Sequence, residues 1–199
     1  MYIVKTKVYP APEIDKREIL RYLKASDSSR ELNSLIDACI GELCASCAYR
    51  VAYCEVPVSL FGGVVDFGFA KTCSSMLEKR LAGYERAIIF ACTVGIGPDR
   101  IIAKYSKTAP AMSLISQAVG TERVEALADA FCNDVARIYS DASVRFSPGY
   151  SDLSLDFQRD IFRLLSCEKN VGITLNESLI MSPSKSVTAI IGIGEKNEH

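Results

Sequence analysis

Histidine is almost missing from this sequence. The single one among 199 residues is the last, His199. A Ser-His-Asp triad, a Cys-His pair or a His-rich metal site needs an imidazole held in a packed pocket, so the usual hydrolytic and metal chemistries are not expected. An excess of charge is missing too. Lys+Arg is 23 against Asp+Glu 24, a net charge of −1, which leaves no positive field to hold a polyphosphate backbone and argues against nucleic-acid binding. No run of about 18 apolar residues occurs, so no membrane-spanning helix is expected. The stretch Met1-Tyr2-Ile3-Val4-Lys5-Thr6-Lys7 has no apolar signal core and no small-residue cleavage site. A cytoplasmic protein is the expectation, and eight reduced cysteines suit it. Internal repeats, low-complexity tracts and charge blocks are absent as well. With 49% apolar and 24% charged residues, the composition is that of an ordinary globular chain forming one domain over residues 1–199.

What is present alternates between strand and helix patterns. Residues 11–14 break a first strand from a first helix, where Asp15 followed by Glu18 forms a capping box with Asp in the leading position. Leu32, Leu35, Ile36, Cys39, Ile40, Leu43, Cys44 and Cys47 recur at helical spacing, with Ser28 or Ser29 as cap. Strands are expected over 50–58 and 64–69, on either side of Phe61-Gly62-Gly63, and a helix over 72–81, stopped near Gly83. The run Ala87-Ile88-Ile89-Phe90-Ala91-Cys92 suits a strand buried on both faces. Gly95-Ile96-Gly97-Pro98 turns the chain into another helix. A long helix then covers about 110–139, with Gly120 as a candidate bend. A short strand over 143–146, a Pro148-Gly149 turn, a helix over 155–166 and strands over 173–175, 179–181 and 187–193 complete the chain. The mixed order favours α+β, with a largely antiparallel twisted sheet flanked by helices.

Three patterns could carry chemistry. Cys44-Ala45-Ser46-Cys47 is a CxxC, but zinc needs four ligands and no second CxxC or internal histidine exists. Both sulfurs are placed on the apolar stripe of a helix, so core packing is the expected role, and no metal site is assigned. Gly95-Ile96-Gly97 resembles the start of a dinucleotide loop, yet Arg100 stands where a third glycine belongs; a tight strand-to-helix turn is the simpler reading. Arg145-Phe146-Ser147-Pro148-Gly149-Tyr150 is the most informative stretch. Arginine offers a planar fork for a carboxylate. Gly149 permits close approach of a ligand to the backbone, and Tyr150 adds a hydroxyl and a flat face. The residues fit either a small-molecule site for a carboxylate-bearing ligand or an ordinary turn beside a salt-bridged arginine.

Arg145-x-x-Pro148-Gly149-Tyr150 resembles the R-x-x-P-G-Y signature of the S-adenosylmethionine-binding activation domain of cobalamin-dependent methionine synthase. Further segments agree. Residues 173–183 (ITLNESLIMSP) resemble the family's L-T-E-S-x-x-M-x-P segment, Ser186-Val187-Thr188-Ala189 its S-V-S-G/A strand, and residues 125–131 (EALADAF) the helix that carries an acidic ligand contact. The match is specific over residues 111–193 and weaker over 1–110.

The resemblance implies that Arg145 binds the ligand's carboxylate and that Ser147 uses its backbone toward the adenine. It further implies that Gly149 and Tyr150 line the groove and that Asp129, in place of the family's Glu, supplies the acidic contact. The implied ligand is S-adenosylmethionine, with cobalamin held by a partner: a cobalamin-binding methionine synthase or related corrinoid protein, joined by a flavodoxin-like electron donor. The implied task is reductive methylation that reactivates an oxidised cobalamin. The alternative is a docking module that caps a corrinoid methyltransferase without binding the ligand. The family's acidic contact near its N-terminus has no counterpart recognisable by sequence.

Overall fold

The structure, a computed structural model, describes residues 2–25 and 29–195. His199 and Ser28 lie outside the described residues. Four antiparallel strands form the main sheet in the order β1-β2-β6-β9: β1 (Val4–Val8), β2 (Arg50–Pro57), β6 (Arg86–Thr93) and β9 (Ser186–Ile193). Register is continuous across it, with Tyr53 opposite Phe90 and Phe90 opposite Ala189. The continuous apolar run is therefore the central strand β6, covered on both faces, as such runs must be. A three-stranded sheet, β3 (Ser59–Phe61), β4 (Val64–Asp66) and β5 (Lys71–Cys73), and a β-ribbon, β7 (Thr174–Leu175) with β8 (Met181–Ser182), complete the strands of the described residues. Each pairing is antiparallel, and the mixed helix and antiparallel-sheet architecture agrees with the expectation.

Helices cover both faces. Beneath one face lie α3 (Ser75–Leu81), α6 (Phe157–Leu165) and α7 (Cys167–Val171), whose Leu77, Phe157, Ile161, Leu165 and Val171 pack on Ala52, Ile89 and Ile190. Against the other lies the second half of α5 (Pro110–Ile138), through Val124, Leu127, Phe131 and Val135 on Phe90 and Ile191. Its first half leaves the sheet. There Ile115, Ala118 and Val119 pack on Ile19 of α1 (Lys16–Tyr22), on Ile36 and Leu43 of α2 (Arg30–Cys44), and on Ile101 of α4 (Gly97–Thr108). At about 1.5 Å per residue, α5 is long enough to serve both environments. It runs through Gly120 as one helix, where a Cβ would sit 3.0 Å from the Lys185 stem. That glycine makes room for a buried lysine.

Several boundaries differ from the sequence reading, each for a local reason. Asp15 caps α1 by accepting from Arg17 and Glu18 N–H, but Glu18 turns to Arg21 and the return bond to Asp15 N–H comes from Glu122, at 3.0 Å. Ser29 caps α2. Helix α3 starts only at Ser75, because residues 71–73 pair with β4 and Ser74 Oγ takes the Leu77 N–H. Strand β4 stops at Asp66, whose side chain takes the Gly68 N–H. Residues 143–146 form no strand; two isolated bridges, Ala142 to Ile193 and Phe146 to Ile190, tie the segment to β9. The CxxC is not inside a helix. Cys44 is the last residue of α2 and Cys47 lies in the turn beyond it, its N–H bonded to the Cys44 carbonyl. All eight cysteines are free. Among the described residues no helix is long and apolar enough to cross a membrane, and no group of three or more His, Cys, Asp or Glu could hold a metal ion.

Candidate functional site

After α5 the chain doubles back along the outer edge of β9. Ser143 N–H bonds to the Gly192 carbonyl, and Phe146 and Ile190 exchange two backbone hydrogen bonds of 2.9 Å. Extended backbone alternates its side chains. Phe146 is buried in the core on the α6 side, so its predecessor Arg145 projects to the opposite side, toward α5. There Glu125 Oε2 accepts from Arg145 Nη2 at 2.6 Å, and Asp129 Oδ1 lies 2.8 Å from Nη1. Glu125 and Asp129 are four residues apart and share one helix face.

Nη1 is buried, and its contact with Asp129 is an ion pair whose N–H bonds lie off the line to the oxygen. Burial opposes the positive charge of Arg145, yet the Asp129 and Glu125 carboxylates outweigh it and hold the guanidinium more firmly protonated than a free arginine. The Cys132 thiol sits beside it. Burial pushes that thiol above its ordinary range in spite of the arginine.

Glu125 and Asp129 also line a cleft of about 610 Å³. Its floor is the α5 face carrying Glu122, Glu125, Ala126, Asp129, Ala130 and Asn133, spaced as one helical stripe. Its opposite wall is the link before α1, with Pro12, Glu13 and Asp15, together with Glu18 and Tyr22. Asp15 is spent on the helix cap, whereas the exposed Glu13 carboxylate has no ion-pair partner among the described residues. Arg145 stands behind the two carboxylates rather than on the lining itself.

The bend is built as a separate unit. Tyr150 N–H bonds to the Ser147 carbonyl at 3.1 Å and Gly149 N–H to the Leu153 carbonyl at 2.9 Å. Gly149 needs its missing side chain: its φ is +83°, and a Cβ would lie 3.0 Å from Leu155 Cδ1. Tyr150 is 70% exposed and meets the Phe146 ring edge-on. Asp152 fastens the bend to α3, accepting from Ser74 Oγ at 2.5 Å and Ser75 N–H at 2.8 Å.

The structure thus brings Arg145 and Asp129 together and leaves Ser147, Gly149 and Tyr150 on the neighbouring bend, outside the lining of the cleft. Glu125, one turn before Asp129, is a member of the cluster that the motif reading passed over; its i, i+4 relation to Asp129 was the available signal. Glu13 and the rest of the opposite wall arrive through tertiary packing that no motif encodes. A second cleft of about 620 Å³, lined by Arg159, Phe162, Arg163 and Lys169 among others, holds none of the expected residues. The ion pairs of Arg145 with Glu125 and Asp129, which line the first cleft, mark that one as the place to look for chemistry.

The mixed helix and antiparallel-sheet fold is that of an activation-domain-like protein. Over residues 72–198 the sequence matches the family described as "Vitamin B12 dependent methionine synthase, activation domain", and the chain belongs to that family. Among solved structures it is similar to one titled "Crystal Structure of the MetH Reactivation Domain bound to AdoHcy". The TM-score is 0.72 at 16% sequence identity, covering 98% of this chain and 80% of that one. At that identity the likeness speaks for the fold. No curated protein matches the sequence.

Proposed function

We propose that the chain binds S-adenosylmethionine at the α5 cleft and presents its methyl group to the cobalt of a cobalamin held by a partner. The partner is a cobalamin-binding methionine synthase or a related corrinoid protein, served in the cytoplasm by a flavodoxin-like electron donor. The observation that carries this reading is the Arg145 guanidinium, charged and paired with Glu125 and Asp129, two carboxylates that line the cleft. On binding, the α-carboxylate of an amino-acid ligand displaces Asp129 from the guanidinium, and the α-ammonium pairs with Asp129 and Glu125. A zwitterion thus exchanges the ion pairs of all three side chains for charge-assisted hydrogen bonds to the ligand.

Ser147 and Gly149 then offer backbone to the adenine, since the Ser147 N–H makes no hydrogen bond among the described residues. Tyr150 stands exposed on the same bend. The chain contributes binding and orientation, and proximity does the rest. S-adenosylmethionine itself supplies an electrophilic methyl on sulfur. The test is thermal melting with millimolar S-adenosylmethionine. A ligand held by the native state raises the midpoint; an unchanged midpoint contradicts the proposal. Capture of a corrinoid protein without any ligand response would identify the chain as a docking module.

A further inference from the structure

We propose that Arg123 is a positioning residue that sets the far wall of the α5 cleft, an inference that rests on the ligand reading above. Arg123 is fully buried in α5 and does not line the cleft. A buried arginine is tolerated only when its donors are spent. Here Nη1 donates to the Pro12 carbonyl at 2.6 Å and Nη2 to the Glu13 carbonyl at 2.7 Å. Nε and Nη2 also grip the carboxylate of the adjacent Glu122, each at 2.5 Å. Glu122, itself 3% exposed, accepts the Asp15 N–H at 3.0 Å.

Two neighbouring residues of one helix thus hold three points of the link, Pro12, Glu13 and Asp15. Residues 9–15 form no regular element, and Ile14 is 41% exposed; Tyr9 ties the start of the link to Tyr49 and Asp134. Pro12, Glu13 and Asp15 belong to the wall facing Ala126 and Asp129. Arg123 therefore fixes the width of the cleft and the position of the unpaired Glu13 carboxylate from behind, without lining the cleft itself. Lysine cannot replace it, because one ammonium cannot serve two carbonyls and a bidentate carboxylate in a single plane.

The experiment compares the full chain with Arg123→Lys. Amide exchange at Asp15 and the affinity for S-adenosylmethionine are read well below the melting midpoint of each protein. Val171→Ala in α7, on the opposite face of the sheet, serves as a destabilised control. Faster Asp15 exchange and at least a tenfold weaker affinity in Arg123→Lys, with native affinity in Val171→Ala, support the proposal. Native affinity in Arg123→Lys, or an equal loss in the control, overturns it. Should Arg123→Lys fail to fold, Arg123→Gln is read by the same criteria. If the unaltered chain itself fails to bind, the ligand reading falls, and that outcome is distinct because it precedes any variant.

Discussion

Replacing Arg145 by Ala separates binding from stability. In the free protein the side chain makes two ion pairs whose carboxylate partners are 36% and 67% exposed. Pairs of that kind stabilise by up to about 1 kcal/mol each. Their loss therefore costs up to about 2 kcal/mol. About 1 kcal/mol corresponds to about 2–4 °C in a chain of this size, so the melting midpoint should fall by no more than about 4–8 °C.

Binding should respond quite differently. Losing charge-assisted hydrogen bonds to a ligand carboxylate costs about 2–4 kcal/mol, which is about 30- to 1000-fold in Kd. The assay is calorimetric titration with S-adenosylmethionine, backed by melting curves. At a ligand concentration near 100 times the native Kd the native chain gains about 2.7 kcal/mol, or about 5–10 °C; the variant gains less than about 1 kcal/mol. Arg145→Lys keeps the charge but not the fork and should fall between them. An Arg145→Ala protein that binds as tightly as the native chain would refute the assignment.

Other perturbations test the supports of the site. Gly149→Ala forces a side chain into a φ of +83° and against Leu155; it should cost about 1–2 kcal/mol, seen as a lower melting midpoint, and weaken the ligand response with it. Asp152→Asn should lower the midpoint at pH 6 by loosening both the bend and the start of α3. The Ser74 hydroxyl first, then the Met76 and Ser75 N–H groups, hold the Asp152 carboxyl below its ordinary range. Its contribution is therefore fully present above the unfolded value of about 3.9 and is lost as pH falls through the lower folded one. The difference in midpoint between Asp152→Asn and the native chain should shrink as pH is taken from 6 toward 2, and a constant difference would contradict the cap.

Much of this architecture was legible because it follows from one-dimensional patterns. The apolar run of residues 87–92 could only be a doubly covered strand, and the Pro98 and Pro110 starts located α4 and α5. Arg145 was legible as a motif and Asp129 through the resemblance, each as a separate ligand contact; their ion pair comes from the structure. What the sequence hid is tertiary. The opening α3 turn gave way to β5 because β4 offered it hydrogen bonds. The expected strand at 143–146 reduced to two bridges because only Ala142 and Phe146 come into register with β9. The CxxC lost its helix because α2 ends at Cys44. Glu125 and the Pro12–Asp15 wall join the site only through the way α5 packs on the link ahead of α1. Distance along the chain, more than a hundred residues between Glu13 and Arg123, leaves no local signal for that contact.

The central claim is that the Arg145 guanidinium is a prepared seat for a ligand carboxylate, and its side-chain Nε–Hε resonance reports on that seat most directly. The account predicts that titration with S-adenosylmethionine moves this resonance saturably, with a midpoint equal to the calorimetric Kd, while the Arg123 resonance stays fixed in its latch. A spectrum in which Arg145 remains unmoved at millimolar ligand would contradict it.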